Sequence, residues 1–256
     1  MNNTFKAIAV GAICVATFAA TSNAADWGSI KGRIVVDGTP AKPAPLVVTK
    51  DQFCIDKMPV NNSIVVGKDN ALENVFVYLR VPAGQKIDIN PEYASKEAEP
   101  VTLDNNGCEF HPHAVLARIG QTLDIKNSDP VGHNTNVNVL SFNQVIPSNS
   151  DAKVKVSTGG ALPTEIACNI HPFMKAWILV QDHPYTATTG EDGTFEIKDI
   201  PAGKHEFQFW HEAGGYLKNV KLKGGATDKK GRAELNIEAG KTLDLGDIKV
   251  PASALK

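Results

Sequence analysis

Between Gly28 and Val250 the apolar residues come in runs too short for helices, cut at near-regular spacing by Gly, Pro, Asn and Asp. Thr122-Leu-Asp-Ile-Lys126 alternates strictly, which puts Leu123 and Ile125 on one face of a strand. No long stretch beyond the first 24 residues keeps a helical period, so the expected class is all-β, built as sandwiches or barrels. Strands are expected over Gly28–Val36, Ser63–Val66, Val75–Arg80, Phe110–Ala117, Thr122–Lys126, Thr135–Leu140, Ala152–Val156 and Lys175–Val180. Of these, Val75–Arg80 carries apolar side chains on both faces. The polar segment 82–100 reads as an insertion or linker with room for a short helix.

The chain opens with one positive charge at Lys6, an apolar run from Ala7 to Ala20 too short to span a bilayer, and the small-x-small pattern Ser22-Asn23-Ala24. This is the pattern of a secretory signal peptide over residues 1–24, with cleavage expected after Ala24 and the mature chain periplasmic or secreted. No later apolar stretch approaches the length of a transmembrane segment. The formal net charge is −2 and no Lys/Arg stripe is present, which excludes a nucleic-acid interface as the expected role. Roughly 230 mature residues can bury a full core in one large or two small domains.

Chemistry concentrates in Cys168-Asn-Ile-His171-Pro-Phe-Met174. A soft thiolate, a borderline imidazole and a weak axial thioether suit a mononuclear electron-transfer copper, which needs one further His. Asn127-Ser-Asp-Pro-Val-Gly-His133-Asn134 offers it. Pro172 stiffens the loop, and the strand expected from Lys175 follows directly. Cys14 leaves with the leader, so if Cys168 binds metal, Cys54 and Cys108 remain as a pair; a disulfide between them is expected, two buried thiols being the alternative. His111-Pro-His113 on a strand would point both imidazoles to one face, as a secondary metal site, as help from His113 at the main site, or simply as structural histidines. Trp210-His211-Glu212 reads as a histidine satisfied by Glu212. Cys168 and His171 lie too close along one loop for a nucleophile and its base, and neither a Gly-x-Ser-x-Gly elbow nor a phosphate loop occurs, so no enzyme is expected.

The stretch Gly120–Asp129 with His133-Asn134 resembles the first-ligand region of cupredoxins, and Cys168-x-x-His171-x-x-Met174 is similar to the ligand loop of amicyanin-like members. The resemblance runs over 101–182. It implies a Greek-key β-sandwich holding one type 1 copper, with His133, Cys168 and His171 equatorial, Met174 axial, and Asn134 tying the two ligand loops together. His171, flanked by Pro172 and Phe173, would be the solvent-edge ligand, and the apolar surface around it the docking face for a transient redox partner. Ala167 departs from the aromatic residue common before the Cys. Thr189-Gly-Glu-Asp192-Gly193-Thr-Phe195-Glu-Ile197, Ile200-Pro-Ala-Gly203 and Phe207-Gln-Phe-Trp210 resemble carboxypeptidase regulatory-like domains, a second, transthyretin-type sandwich over 183–256. Residues 25–100 are expected to form an N-terminal β segment that completes that second sandwich, with the copper domain inserted. The expected function is an exported one-electron carrier. A copper-handling or assembly module, and a surface interaction protein with a non-functional copper loop, are the alternatives.

Overall fold

Regular structure in the computed structural model is almost entirely β, over the described residues 26–94 and 99–256. The signal peptide expected over residues 1–24 lies outside the described residues. In chain order the strands are β1 (Trp27–Asp37), β2 (Phe76–Arg80), β3 (Val101–Asn106), β4 (Glu109–His111), β5 (Ala114–Arg118), β6 (Thr122–Asn127), β7 (His133–Val137), β8 (Phe142–Ile146), β9 (Ser150–Lys155) and β10 (Thr164–Ala167). They continue with β11 (Lys175–Gln181), β12 (Thr186–Thr188), β13 (Thr194–Pro201), β14 (Gly203–His211), β15 (Gly215–Tyr216), β16 (Lys221–Leu222), β17 (Gly225–Ala226), β18 (Arg232–Ile237) and β19 (Thr242–Pro251). A six-residue helix, α1 (Gln52–Lys57), precedes β2.

Two pairs of sheets face each other. Strands β4-β3-β6-β9 and β5-β11-β10-β7-β8 enclose a core containing Leu103, Leu123, Ile125, Val137, Ile166 and Ile178. Strands β13-β1-β19 and β12-β2-β14-β15, with β18 alongside β14, enclose the other, containing Ile30, Ile34, Val77, Leu79, Phe207 and Phe209. The N-terminal strands therefore pair within the C-terminal sandwich: β1 lies between β13 and β19, and β2 between β12 and β14.

The two-faced apolar pattern of β2 has a simple origin. Val77 and Leu79 point into the C-terminal core, while Phe76 and Tyr78 point outward and meet Trp210, Ala114 and Leu179 in a third cluster between the sandwiches. Strand β11 alternates the same way, with Ala176, Ile178 and Val180 in one core and Leu179 in the seam. Burying the large seam side chains contributes on the order of 2 kcal/mol each, so the seam is held by side chains whose period-2 register both strands already fix.

Residues 39–50 have no regular structure. With α1 they lie over the first sandwich, where Val48, Phe53 and Cys54 pack against its core. Cys54 and Cys108 form the expected disulfide, with Cα atoms 5.5 Å apart. Two local expectations are corrected. Ser63–Val66 is not a strand; only an isolated bridge joins Val66 to Leu72, and the stretch runs from Asn62, held by Glu109 of β4, to Ile64 and Val66 against the C-terminal core. Phe110–Ala117 is not continuous: β4 pairs with β3, whereas β5 pairs with β11 in the opposite sheet. The segment 82–100 forms a 3-10 turn over Pro91–Tyr93, capped by the Asn90 side chain accepting from Glu92 N, with 95–98 outside the described residues.

Candidate metal centre

Antiparallel pairing of β7 with β10 aligns Val137 with Ile166 and Asn136 with Ala167, so the start of one strand lies beside the residues that follow the other. That register brings His133 next to the Cys168 loop. The loop closes through Met174 N donating to His171 O (2.9 Å) and Cys168 N donating to Met174 O (3.3 Å), which turns His171 back towards the thiol. His133 Nδ1 and His171 Nδ1 lie 3.0 Å apart, and Cys168 Sγ lies 3.8 Å from His171 Nδ1. All three residues are buried, as is Met174 within the same core. Asn134 accepts from Asn169 N (3.1 Å) and donates to Asn143 Oδ1 (2.8 Å), bridging the two loops.

Two carboxylates orient the imidazoles. Asp129, buried, accepts from His133 Nε2 (2.9 Å), Gly107 N (2.6 Å) and Cys108 N (2.8 Å). Asp51 accepts from His171 Nε2 at 2.6 Å. An ionised carboxylate only accepts, so each Nε2 carries a proton and each Nδ1 is left as the atom facing the centre. Two such nitrogens 3.0 Å apart need a cation between them, a proton or a metal. Burial pushes the His133 pKa down, against the opposing pull of Asp129, which favours the neutral imidazole a metal requires. Burial likewise pushes the Cys168 thiol up, while backbone N–H groups of Asn134 and His171, each 3.3 Å from Sγ, favour the thiolate. A metal tips that balance, because it binds the deprotonated sulfur. The residues present thus fit a mononuclear soft-metal site.

Neither Asp51 nor Asp129 is among the residues the sequence singled out. Asp129 sits four positions before His133 in the same loop, a spacing that carries a weak hint; Asp51 is 120 positions from His171 and carries none. Cys54 Sγ approaches His171 Nε2 to 3.9 Å, and Cys108 lies near Asp129 and His133, but disulfide sulfurs offer no thiolate to a metal.

The expectation of a solvent-edge His171 is overturned. His171 has 0% of its surface exposed, because α1 and Asp51 cover its Nε2 side and the Phe173 ring lies 5.6 Å away. Pro172, which is exposed, and Phe173 instead line a cleft of about 550 Å³ together with Met174, His113, Trp177 and Glu212. The expected His211–Glu212 pairing is also corrected: Glu212 pairs with His113 Nε2 and accepts from Trp177 Nε1 (3.0 Å), tying the two sandwiches together. His211 is buried, and its Nδ1 accepts from Ala213 N (3.2 Å). His111 and His113 do not share a face, since β4 ends at His111; His111 lies near Glu109 and His113 on Glu212, and neither belongs to a three-ligand group among the described residues.

No protein-family model matches this chain, and no curated protein does. Solved structures similar to it include amicyanin in a Cu(I) form, 18% identical over 38% of this chain and 99% of that one, with a TM-score of 0.29. An oxidised amicyanin is 14% identical over 41% and 97%, at 0.29. The copper-containing nitrite reductase of Thermus scotoductus SA-01 is 24% identical over 39% of this chain and 24% of its own, at 0.28. Likenesses at this level fix nothing about what this chain binds. Among the described residues no helix is long and apolar enough to cross a membrane.

Proposed function

We propose that this chain is an exported one-electron carrier with a single type 1 copper held by His133, Cys168 and His171, with the Met174 thioether as the weak axial donor. The observation that carries the reading is that His171 Nδ1 lies 3.0 Å from His133 Nδ1 and 3.8 Å from Cys168 Sγ in a buried pocket, with both far ring nitrogens engaged by carboxylates. Copper bound there supplies a one-electron couple. The chain's own residues do the rest. Asp129 and Asp51 hold the ring orientations, the Asn134 and His171 N–H groups support charge on sulfur, and burial excludes water from the ligand atoms.

In this reading residues 101–182 form the copper domain, a transthyretin-like sandwich is built from 183–256 with the N-terminal strands, and the signal peptide directs the chain to the periplasm or beyond. The redox partner docks transiently. The covered His171 weighs against a second reading, a copper-handling module: a hand-over of metal needs the cover to open, whereas electrons need not wait for it. Voltammetry of copper-loaded protein, paired with copper transfer to a chelator, separates the two. A reversible couple with metal retained supports the carrier; metal release without a reversible couple supports the module. Cys168→Ser should remove any intense visible band while preserving the far-UV circular dichroism, and retention of the band would take Cys168 out of the site.

A further inference from the structure

Six links close a ring around the candidate centre. His133 Nδ1 faces His171 Nδ1, His171 Nε2 meets Asp51, α1 begins one residue after Asp51 and carries Cys54, Cys54 is bonded to Cys108, and Cys108 N donates to Asp129, which holds His133 Nε2. The two carboxylate–imidazole pairs are thus not independent. One disulfide fixes the distance between the segments that bear them.

Asp51 is the least expected member. Asp at the position before a helix ordinarily accepts from the backbone of the first turn. Here Asp51 makes no such cap bond, and its backbone sits at φ 58°, a conformation uncommon for a residue with a side chain. Both features are costly locally and are offset by the 2.6 Å contact with a buried imidazole. A short, charge-assisted contact of this kind orients the ring and makes its other nitrogen more basic.

We propose that Asp51 is a positioning residue of the metal centre: held over His171 by the Cys54–Cys108 disulfide, it fixes the ring with Nδ1 toward Cys168 and His133 and lends it negative charge that favours the oxidised metal. The inference rests on the copper reading above and goes beyond it by assigning the cover a role in setting the potential. A merely structural cover would change stability without changing the couple. The carboxylate is 43% exposed on its outer side, so its charge can be removed without opening a cavity in the core.

Two substitutions separate hydrogen bond from charge. Asp51→Asn keeps an acceptor for Nε2–H but removes the charge; Asp51→Ala removes both. In the copper-loaded mature chain, both variants should keep the thiolate-to-copper band, and both should shift the midpoint potential upward relative to the unsubstituted protein. In the metal-free chain, 15N-resolved NMR should detect a slowly exchanging His171 Nε2–H in the unsubstituted protein and in Asp51→Asn, lost in Asp51→Ala. Cys54→Ser/Cys108→Ser should shift the potential in the same direction, since it frees the segment bearing Asp51. Unchanged potentials in Asp51→Asn and Asp51→Ala would overturn the proposal, as would a His171 Nε2–H unaffected by Asp51→Ala. Absence of any thiolate-to-copper band in the unsubstituted protein would instead overturn the copper reading, leaving the NMR comparison to decide whether Asp51 holds His171.

Discussion

Replacing Asp129 should cost more stability than any other polar substitution near the centre. Its two carboxylate oxygens serve three donors, Gly107 N, Cys108 N and His133 Nε2, at 2.6–2.9 Å, and the residue is 2% exposed. Each buried donor left without a partner costs roughly 1–3 kcal/mol. Asp129→Ala strands all three, and part of the vacated volume admits water that recovers some of the loss, so about 4 kcal/mol is expected. Asp129→Asn keeps one acceptor oxygen but turns an amide N–H₂ towards a donor, for about 2 kcal/mol. The assay is urea unfolding of metal-free mature protein, with stability extrapolated from midpoint and slope. Asp104→Ala, which removes an exposed contact with Ser128, is the control and should stay within about 0.5 kcal/mol. If Asp129→Ala costs less than about 1 kcal/mol, the three donors find other partners and the reasoning fails.

The disulfide closes a loop with a sequence separation of 54, for which chain entropy gives about 4 kcal/mol. That loop contains β2 in one core and β3 in the other, so Cys54→Ser/Cys108→Ser should lower the unfolding midpoint of both sandwiches; a change confined to one would contradict this. Burial lowers the pKa of His183 and of His211 from 6.5 to about 4. Above pH 6.5 both are neutral folded or unfolded and contribute nothing. Between pH 6.5 and about 4 only the unfolded chain takes the proton, so stability should fall as pH drops, by roughly 3 kcal/mol per histidine at the limit. Substituting His211 with Gln should flatten that slope; an unaltered pH profile would show that His211 does not hold its neutral form.

What the sequence made legible was set by local physics. The alternation of Leu123 and Ile125 and the apolar run Trp177–Val180 identified strands because period-2 burial is written into neighbouring residues. The Cys54–Cys108 pairing followed from cysteine arithmetic. What was missed depends on partners remote in sequence. Glu212 meets His113 rather than its neighbour His211, across 99 positions, and no local pattern encodes that. His111 and His113 would share a face only on one continuous strand, and the break between β4 and β5 falls between them. The resemblance, with Pro172 and Phe173 flanking His171, implies an edge ligand, but the cover is supplied by residues about 120 positions earlier. The apolar residues of β2 are legible in the sequence, but the partners of its second face, Trp210 and Leu179, are remote from it in the chain.

The most direct test of the metal assignment is a titration of mature, metal-free protein with Cu(II), followed by visible absorption. The account predicts an intense thiolate-to-copper band that saturates at one equivalent, bleaches on reduction and is absent from Cys168→Ser. A colourless titration with the Cys168 thiol still free would contradict it.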